Sequence, residues 1–179
     1  MDKVKAGIIG LGFMSVAHIK AYRQLEDVEI VAVCNPSGRR LDGDLSGVFG
    51  NVGDQEPVKL DMAKIKGYKD VDTFLDHPGL QLVDICSPTD THTDLAIRSL
   101  NKGKHVLCEK PITRTRDEAE KLVKAVQAPK THFMPAMCLR FWPEWAFLKK
   151  AIDKNTYGKV LGVRFRRIAE PPAWSQQNY

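Results

Sequence analysis

The sequence predicts an α/β fold: a doubly wound parallel sheet, followed by a helix and the first strand of a truncated second, α+β sheet domain. Three observations carry this. Apolar, β-rich runs of strand length recur along the chain, as in "VEIVAVC" (28–34), "QLVDIC" (81–86) and "KHVLC" (104–108). Helix-like segments with end signals fall between them. A glycine-rich turn joins the first strand to the first helix. Such alternation implies right-handed βαβ crossovers and a sheet covered on both faces.

The elements follow in order. A strand is expected over 3–9 and a helix over 14–25. The second strand is 28–34. The segment 38–64 carries Gly43, Gly47, Gly50 and Gly53 among several aspartates. It reads as a long loop with one helical turn at most, where a regular unit would hold a helix. Asp70 caps a short helix through Phe74 and Leu75 that ends before Pro78. After the strand at 81–86, Thr91 and Asp94 have capping-box spacing for a helix that stops at Gly103. Thr115 and Glu118 repeat that spacing after the strand at 104–108. "HFMPAMCL" (132–139) is a further strand, weakened by Pro135. The pattern changes after Pro143. Trp145, Leu148 and Ile152 share a helical face, and the helix stops near Gly158. Residues 160–168 then alternate as a strand with one apolar face and two open edges. That segment is expected to be disordered or to pair with another copy of the chain. The domain boundary is placed at 140/141, with 141–179 as linker helix and start of the second domain.

The 179 residues are 43% hydrophobic and carry a net charge of +5, with a pI near 9.0. A real core is possible, and anionic ligands are favoured. The basic residues are scattered without interleaved aromatics, which argues against a nucleic-acid surface. None of Cys34, Cys86, Cys108 and Cys138 forms a CxxC pair, so no zinc or dithiol site is indicated. They read as buried reduced thiols of a cytoplasmic protein. No run is long and apolar enough for a membrane span.

Gly10-Leu11-Gly12-Phe13-Met14-Ser15 matches GxGxx(G/A/S) between a strand and a helix. Gly10 permits the tight turn. Gly12 lets the backbone approach a pyrophosphate, and Ser15 is small enough for close helix–strand packing. The helix N-terminus presents N–H groups to the phosphates. Gly10, Gly12, Phe13 and Met14 are therefore candidate cofactor-binding residues of a Rossmann-type unit. At the end of the second strand stands Asn35, where an NAD site usually has a carboxylate. Ser37, Arg39 and Arg40 follow. A guanidinium attracts a ribose 2′-phosphate that an acid would repel. The cofactor is NADP or NAD, with NADP favoured; the alternative is a simple turn with solvated arginines.

"CSPTDTHTDLAIRSLNKGKHVLCEKPITRT" (86–115) resembles the Gfo/Idh/MocA family of NAD(P)-dependent sugar, inositol and dihydrodiol oxidoreductases. The match lies in Pro88-Thr89, His92, Gly103 to Val106 and Glu109-Lys110-Pro111. "MCLRFWPEW" and "GKVLGVRFRR" also look like the family. The resemblance implies a Rossmann domain followed by an open sheet domain. By motif, Lys110 would be the catalytic lysine facing substrate and cofactor. Glu109 would sit beside the cofactor ribose. Ser87, Pro88, Thr89 and His92 would line the cofactor cleft, with Arg140 and Trp142 on its far wall. A lysine at the C-terminal end of a parallel strand can reach a hydroxyl proton in the crevice.

The family's second acid/base, a His with a nearby Asp, has no counterpart before Tyr179. The chain thus reads as the cofactor-binding portion of a polyol or sugar dehydrogenase, poorly active alone, self-associating through its C-terminal strand. A non-catalytic dinucleotide-binding regulatory module and an empty Rossmann scaffold are the competing expectations.

Overall fold

A computed structural model describes residues 2–168 except 49, 51–55, 128–129 and 167. Six parallel strands form one sheet: β1 (Val4–Ile9), β2 (Val28–Cys34), β3 (Lys66–Tyr68), β4 (Leu82–Ile85), β5 (His105–Cys108) and β6 (Phe133–Pro135). Their order is β3-β2-β1-β4-β5-β6. This is the doubly wound arrangement with its switch point between β1 and β4, where the connections leave in opposite directions and open a crevice. Register is direct across that point: Ile8 pairs with Asp84 and Ile9 with Ile85.

Helices α1 (Phe13–Tyr22), α2 (Val71–Leu75), α3 (Thr89–Asn101) and α4 (Arg116–Val126) fill the crossovers. Alternation along the strands separates two cores. Ile9, Val83, Ile85, Val106 and Cys108 point toward α2, α3 and α4, joining Phe74, Leu95, Leu100 and Leu122. Ile8, Val33 and Cys86 point toward α1, joining Leu11 and Ile19. Asp70 and Thr115 cap α2 and α4 as expected, accepting from the amides of Thr73 and Glu118. Helix α3 begins two residues before the expected cap, with Pro88 at the N-cap position. Proline has no N–H to leave unpaired there, so the chain can enter the helix directly from β4.

The segment after β2 has no helix among its described residues. It nevertheless packs as a helix would: Leu45, Val58 and Leu60 are buried with Ile8 and Val33, and Asp44 bridges Lys59 in antiparallel fashion. Strand β3 at its end is too short to show periodicity in sequence. Gly67 and Tyr68 gain their place by pairing with Val33 and Cys34.

The chain divides into two compact units, Met1–Ala136 and Met137–Tyr179. The second holds a 3-10 turn (Cys138–Phe141) and α5 (Pro143–Asp153). The expected strand at 160–168 is not formed: residues 160–166 and 168 have no regular structure, and Leu161 is 91% exposed. A strand needs a neighbour's N–H and C=O groups, and the described residues of this unit supply none. Residue 167 lies outside the described residues. Cys34, Cys86 and Cys108 are buried as expected; Cys138 is exposed, against expectation. Among the described residues no helix is long and apolar enough to cross a membrane.

Candidate functional site

The glycine turn meets the β4–α3 turn at the switch point. Gly10 has φ +90°, and a Cβ there would lie 2.7 Å from the Ser87 nitrogen. Glycine is required for both reasons. The Gly10 amide donates to the Cys34 carbonyl and Cys86 to that of Ile9, so both turns are fixed to strand ends. Gly12 is different. It has an ordinary extended conformation at the N-cap of α1, and a Cβ on it would find none of the described residues within 4 Å. Among the described residues the space beside Gly12 is therefore open, as a cradle for a diphosphate must be. Ser15 is fully buried, and its hydroxyl donates to the Gly12 carbonyl at 2.6 Å.

Within the first unit the helix ends at this crevice differ from the other two; α5 of the second unit also has no side-chain cap. α1 and α3, which start at Gly12 and Pro88, have no side-chain cap. α2 and α4, which start elsewhere, both have one. An acceptor supplied by a ligand would complete the uncapped ends. Phe13 and Met14 open α1, and the Phe13 ring lies directly against Gly50. Ser87 bonds Thr91 through their hydroxyls at 2.6 Å, while Thr91 also donates to the Pro88 carbonyl, which sets the first turn of α3. Thr89 is the first residue of that helix.

The loop after β2 closes on itself. Asn35 donates to the Arg39 carbonyl at 2.7 Å and accepts from the Ser37 hydroxyl. The Arg39 side chain is exposed. Arg40 takes φ +61°, seldom seen outside glycine. Its guanidinium donates to the Leu11 carbonyl at 2.8 Å. A cation thus stands over the glycine turn itself.

His92, expected to line the cofactor cleft, is buried in the first turn of α3. The ring is 1% exposed. Nδ1 lies 2.7 Å from the Pro111 carbonyl and Nε2 2.8 Å from that of Ser87. It ties the β4–α3 turn to the turn after β5 from beneath. Lys110 is exposed at the C-terminal end of β5, followed by a cis bond to Pro111. Its amide donates to Glu109 Oε2 at 2.9 Å. Arg140 and Trp142 belong to the second unit, in the 3-10 turn and at the N-cap of α5.

Sequence reasoning missed the cluster that holds Glu109. His18 of α1 places Nδ1 2.8 Å from Asp84 Oδ2 and Nε2 3.1 Å from Glu109 Oε1. Asp84 is 0% exposed in mid-strand, and Cys86 Sγ lies 3.6 Å from both Asp84 Oδ1 and His18 Nδ1. Burial alone lowers the His18 pKa, but hydrogen bonds with Asp84, Cys86 and Glu109 outweigh it and hold the ring protonated, well above the ordinary 6.5. Burial likewise raises Glu109, yet the bonds from His18 and the Lys110 amide bring it below its ordinary value. Burial, then the Asp84 charge, push the Cys86 thiol up to about 12. The ligand atoms of His18, Asp84 and Cys86 lie within 4.8 Å of one another, a spacing that would admit a metal ion. In this structure the same atoms are joined to one another by hydrogen bonds.

The Gfo/Idh/MocA family model, described as an oxidoreductase family with an NAD-binding Rossmann fold, matches residues 4–136. The chain is 31% identical over 171 residues to inositol 2-dehydrogenase of Rhizobium meliloti, covering 94% of this chain and 47% of that protein. It is 29% identical over 174 residues to levoglucosan dehydrogenase of Pseudarthrobacter phenanthrenivorans, covering 92% and 40%. The chain thus spans less than half the length of these curated relatives. Among solved structures, the WlbA dehydrogenase of Bordetella pertussis, in complex with NADH and UDP-GlcNAcA, aligns with TM-score 0.72 at 21% identity, covering 87% of this chain and 43% of that one. Apo scyllo-inositol dehydrogenase of Lactobacillus casei aligns with TM-score 0.72 at 24% identity, covering 88% and 43%. At these identities the two structures establish the fold.

The raised His18 pKa has a definite sign in stability. Its contribution is complete below the unfolded value of 6.5 and is lost as pH rises toward the folded one. Between about pH 6.5 and 7.5, below the range where the cysteines titrate, the unfolding free energy of the native chain should fall relative to His18→Gln. The limiting slope is about 1.4 kcal/mol per pH unit. Urea titrations of both proteins across that window measure it.

Proposed function

The chain belongs to the Gfo/Idh/MocA oxidoreductase family, and on that premise we propose that it binds a nicotinamide dinucleotide for hydride transfer to or from a sugar, inositol or similar polyhydroxylated alcohol. The observation that carries this is the contrast between the helix ends of the first unit. The two that meet at the switch point lack side-chain caps, and the space beside Gly12 is open. The diphosphate would rest there, against the N-terminus of α1.

The nicotinamide supplies the hydride chemistry when bound. The residues of this chain do the rest. Exposed Lys110, beside the crevice at the end of β5, would exchange the proton of the reacting hydroxyl. Glu109, with one oxygen on His18 and the other on the Lys110 amide, would hold that turn in place. The names of the relatives, an inositol and a levoglucosan dehydrogenase, support a polyol or sugar as the substrate class.

For the cofactor, NADP is favoured over NAD. No acid stands at the end of β2, and Arg40 reaches over the glycine turn while Arg39 is exposed next to it. Calorimetric titration of both cofactors tests this. Changing Arg39 and Arg40 to alanine should cost NADP binding about 1.5–3 kcal/mol more than it costs NAD binding. Equal losses for the two cofactors would contradict the preference.

The catalytic reading differs from a binding-only module in one respect. In protein that reduces its cofactor with a polyol or sugar, Lys110→Ala should lower turnover at least about a hundredfold while dinucleotide affinity stays within a few-fold. Unchanged turnover would remove Lys110 from the chemistry. Cofactor binding without turnover on a broad polyol and sugar panel would favour the regulatory module.

A further inference from the structure

Two carboxylates and one imidazole are buried together beneath the switch point, and the proposed chemistry uses only one of the three directly. Asp84 is completely buried in the middle of β4, and Glu109 is 6% exposed at the end of β5. Among the described residues neither makes an ion pair with a lysine or arginine; His18 lies between them. A carboxylate in such a place is costly unless paired and hydrogen-bonded. The pairing also carries geometry. His18 is held from one side by Asp84 and from the other by Glu109, so its ring cannot rotate without breaking a charged hydrogen bond. Glu109 in turn uses its second oxygen to accept from the Lys110 amide at 2.9 Å. The chain of contacts runs Asp84, His18, Glu109, Lys110 main chain. It starts in the sheet interior and ends at the exposed lysine.

We infer that His18 is a positioning residue for the Glu109–Lys110 turn: anchored by Asp84, its ring fixes the Glu109 carboxylate, which fixes the backbone from which the Lys110 side chain projects. His18 lies on the same helix that begins at Gly12. One rigid element therefore carries the phosphate cradle at its start and the support of the reacting turn in its second turn. The consequence for catalysis rests on the reading of Lys110 given above; the positioning claim stands on the contacts alone.

A conserved fold without this linkage is the alternative, and NMR separates the two. In the 15N-labelled chain the Lys110 amide, bonded to a charged carboxylate, should resonate downfield. His18→Gln and His18→Ala should move it upfield and weaken dinucleotide binding about tenfold. Asp84→Asn should produce the same changes in smaller degree. Adding His18→Gln to Glu109→Gln should bring no further loss, because the two act through one contact; adding Asp84→Asn to that pair removes all three buried ionisable groups should His18→Ala fail to fold. A lowered melting temperature with the Lys110 amide and the dinucleotide affinity unmoved would reduce His18 to a structural role and overturn the inference. Stoichiometric zinc in the purified chain would overturn it too, by making the cluster a metal site. If the native chain binds no dinucleotide, the proposed function fails, and the amide shift still decides the positioning claim.

Discussion

At Gly10 the first crossover comes so near the end of β4 that a single added carbon would meet the Ser87 backbone at 2.7 Å. The arrangement of the crevice follows from that contact. It brings the starts of α1 and α3 to one place, and it sets the open side of Gly12 between them. The two glycines of the turn therefore act in different directions. Gly10 faces inward and lets the protein close on itself. Gly12 faces outward and leaves room for a ligand. Uncapped helix ends then present donors to the same space, with the Arg40 guanidinium above the turn. Each feature favours an anion there, and their signs agree.

Beneath this positive rim lies a buried cluster of the opposite character. Asp84 and Glu109 place two carboxyl groups under the turn with the His18 ring between them. Cys86, its thiol kept neutral by burial, adds a weak donor to Asp84. Such clusters seldom increase stability over an apolar core of the same volume. What this one does is join three elements, α1, β4 and β5, through directional bonds that apolar packing cannot supply. His92 does the same on the other side, bonding the turns after β4 and β5 through two carbonyls.

Much of this was legible in the sequence. The near-continuous apolar runs identified β1, β2, β4 and β5 to within a residue, because strands buried on both faces leave little room for polar residues. Asp70 and Thr115 announced their helices because a cap is a local interaction. β3 could not be read, since three edge residues take their conformation from their neighbour. The segment after β2 looked like a loose loop, yet Leu45, Val58 and Leu60 give it a core face; their spacing follows no single period. His18 and His92 show what local reading cannot supply. His92 lies at a helix start, where the resemblance puts it on the cofactor cleft, and its partners are turns distant in sequence. His18 was visible only indirectly, as the partner demanded by an aspartate inside the apolar run "LVDIC". That anomaly was the available signal.

Gly12 offers the most direct test of the central claim, because the protein itself does not need its missing side chain. Calorimetric titration of NADP and NAD into Gly12→Val, alongside its unfolding free energy, separates fold from ligand. The account predicts that stability changes by no more than about 1 kcal/mol, since the added carbons enter open space, and that binding of both dinucleotides is lost. Retained affinity in the folded variant would mean that the diphosphate does not lie at this turn.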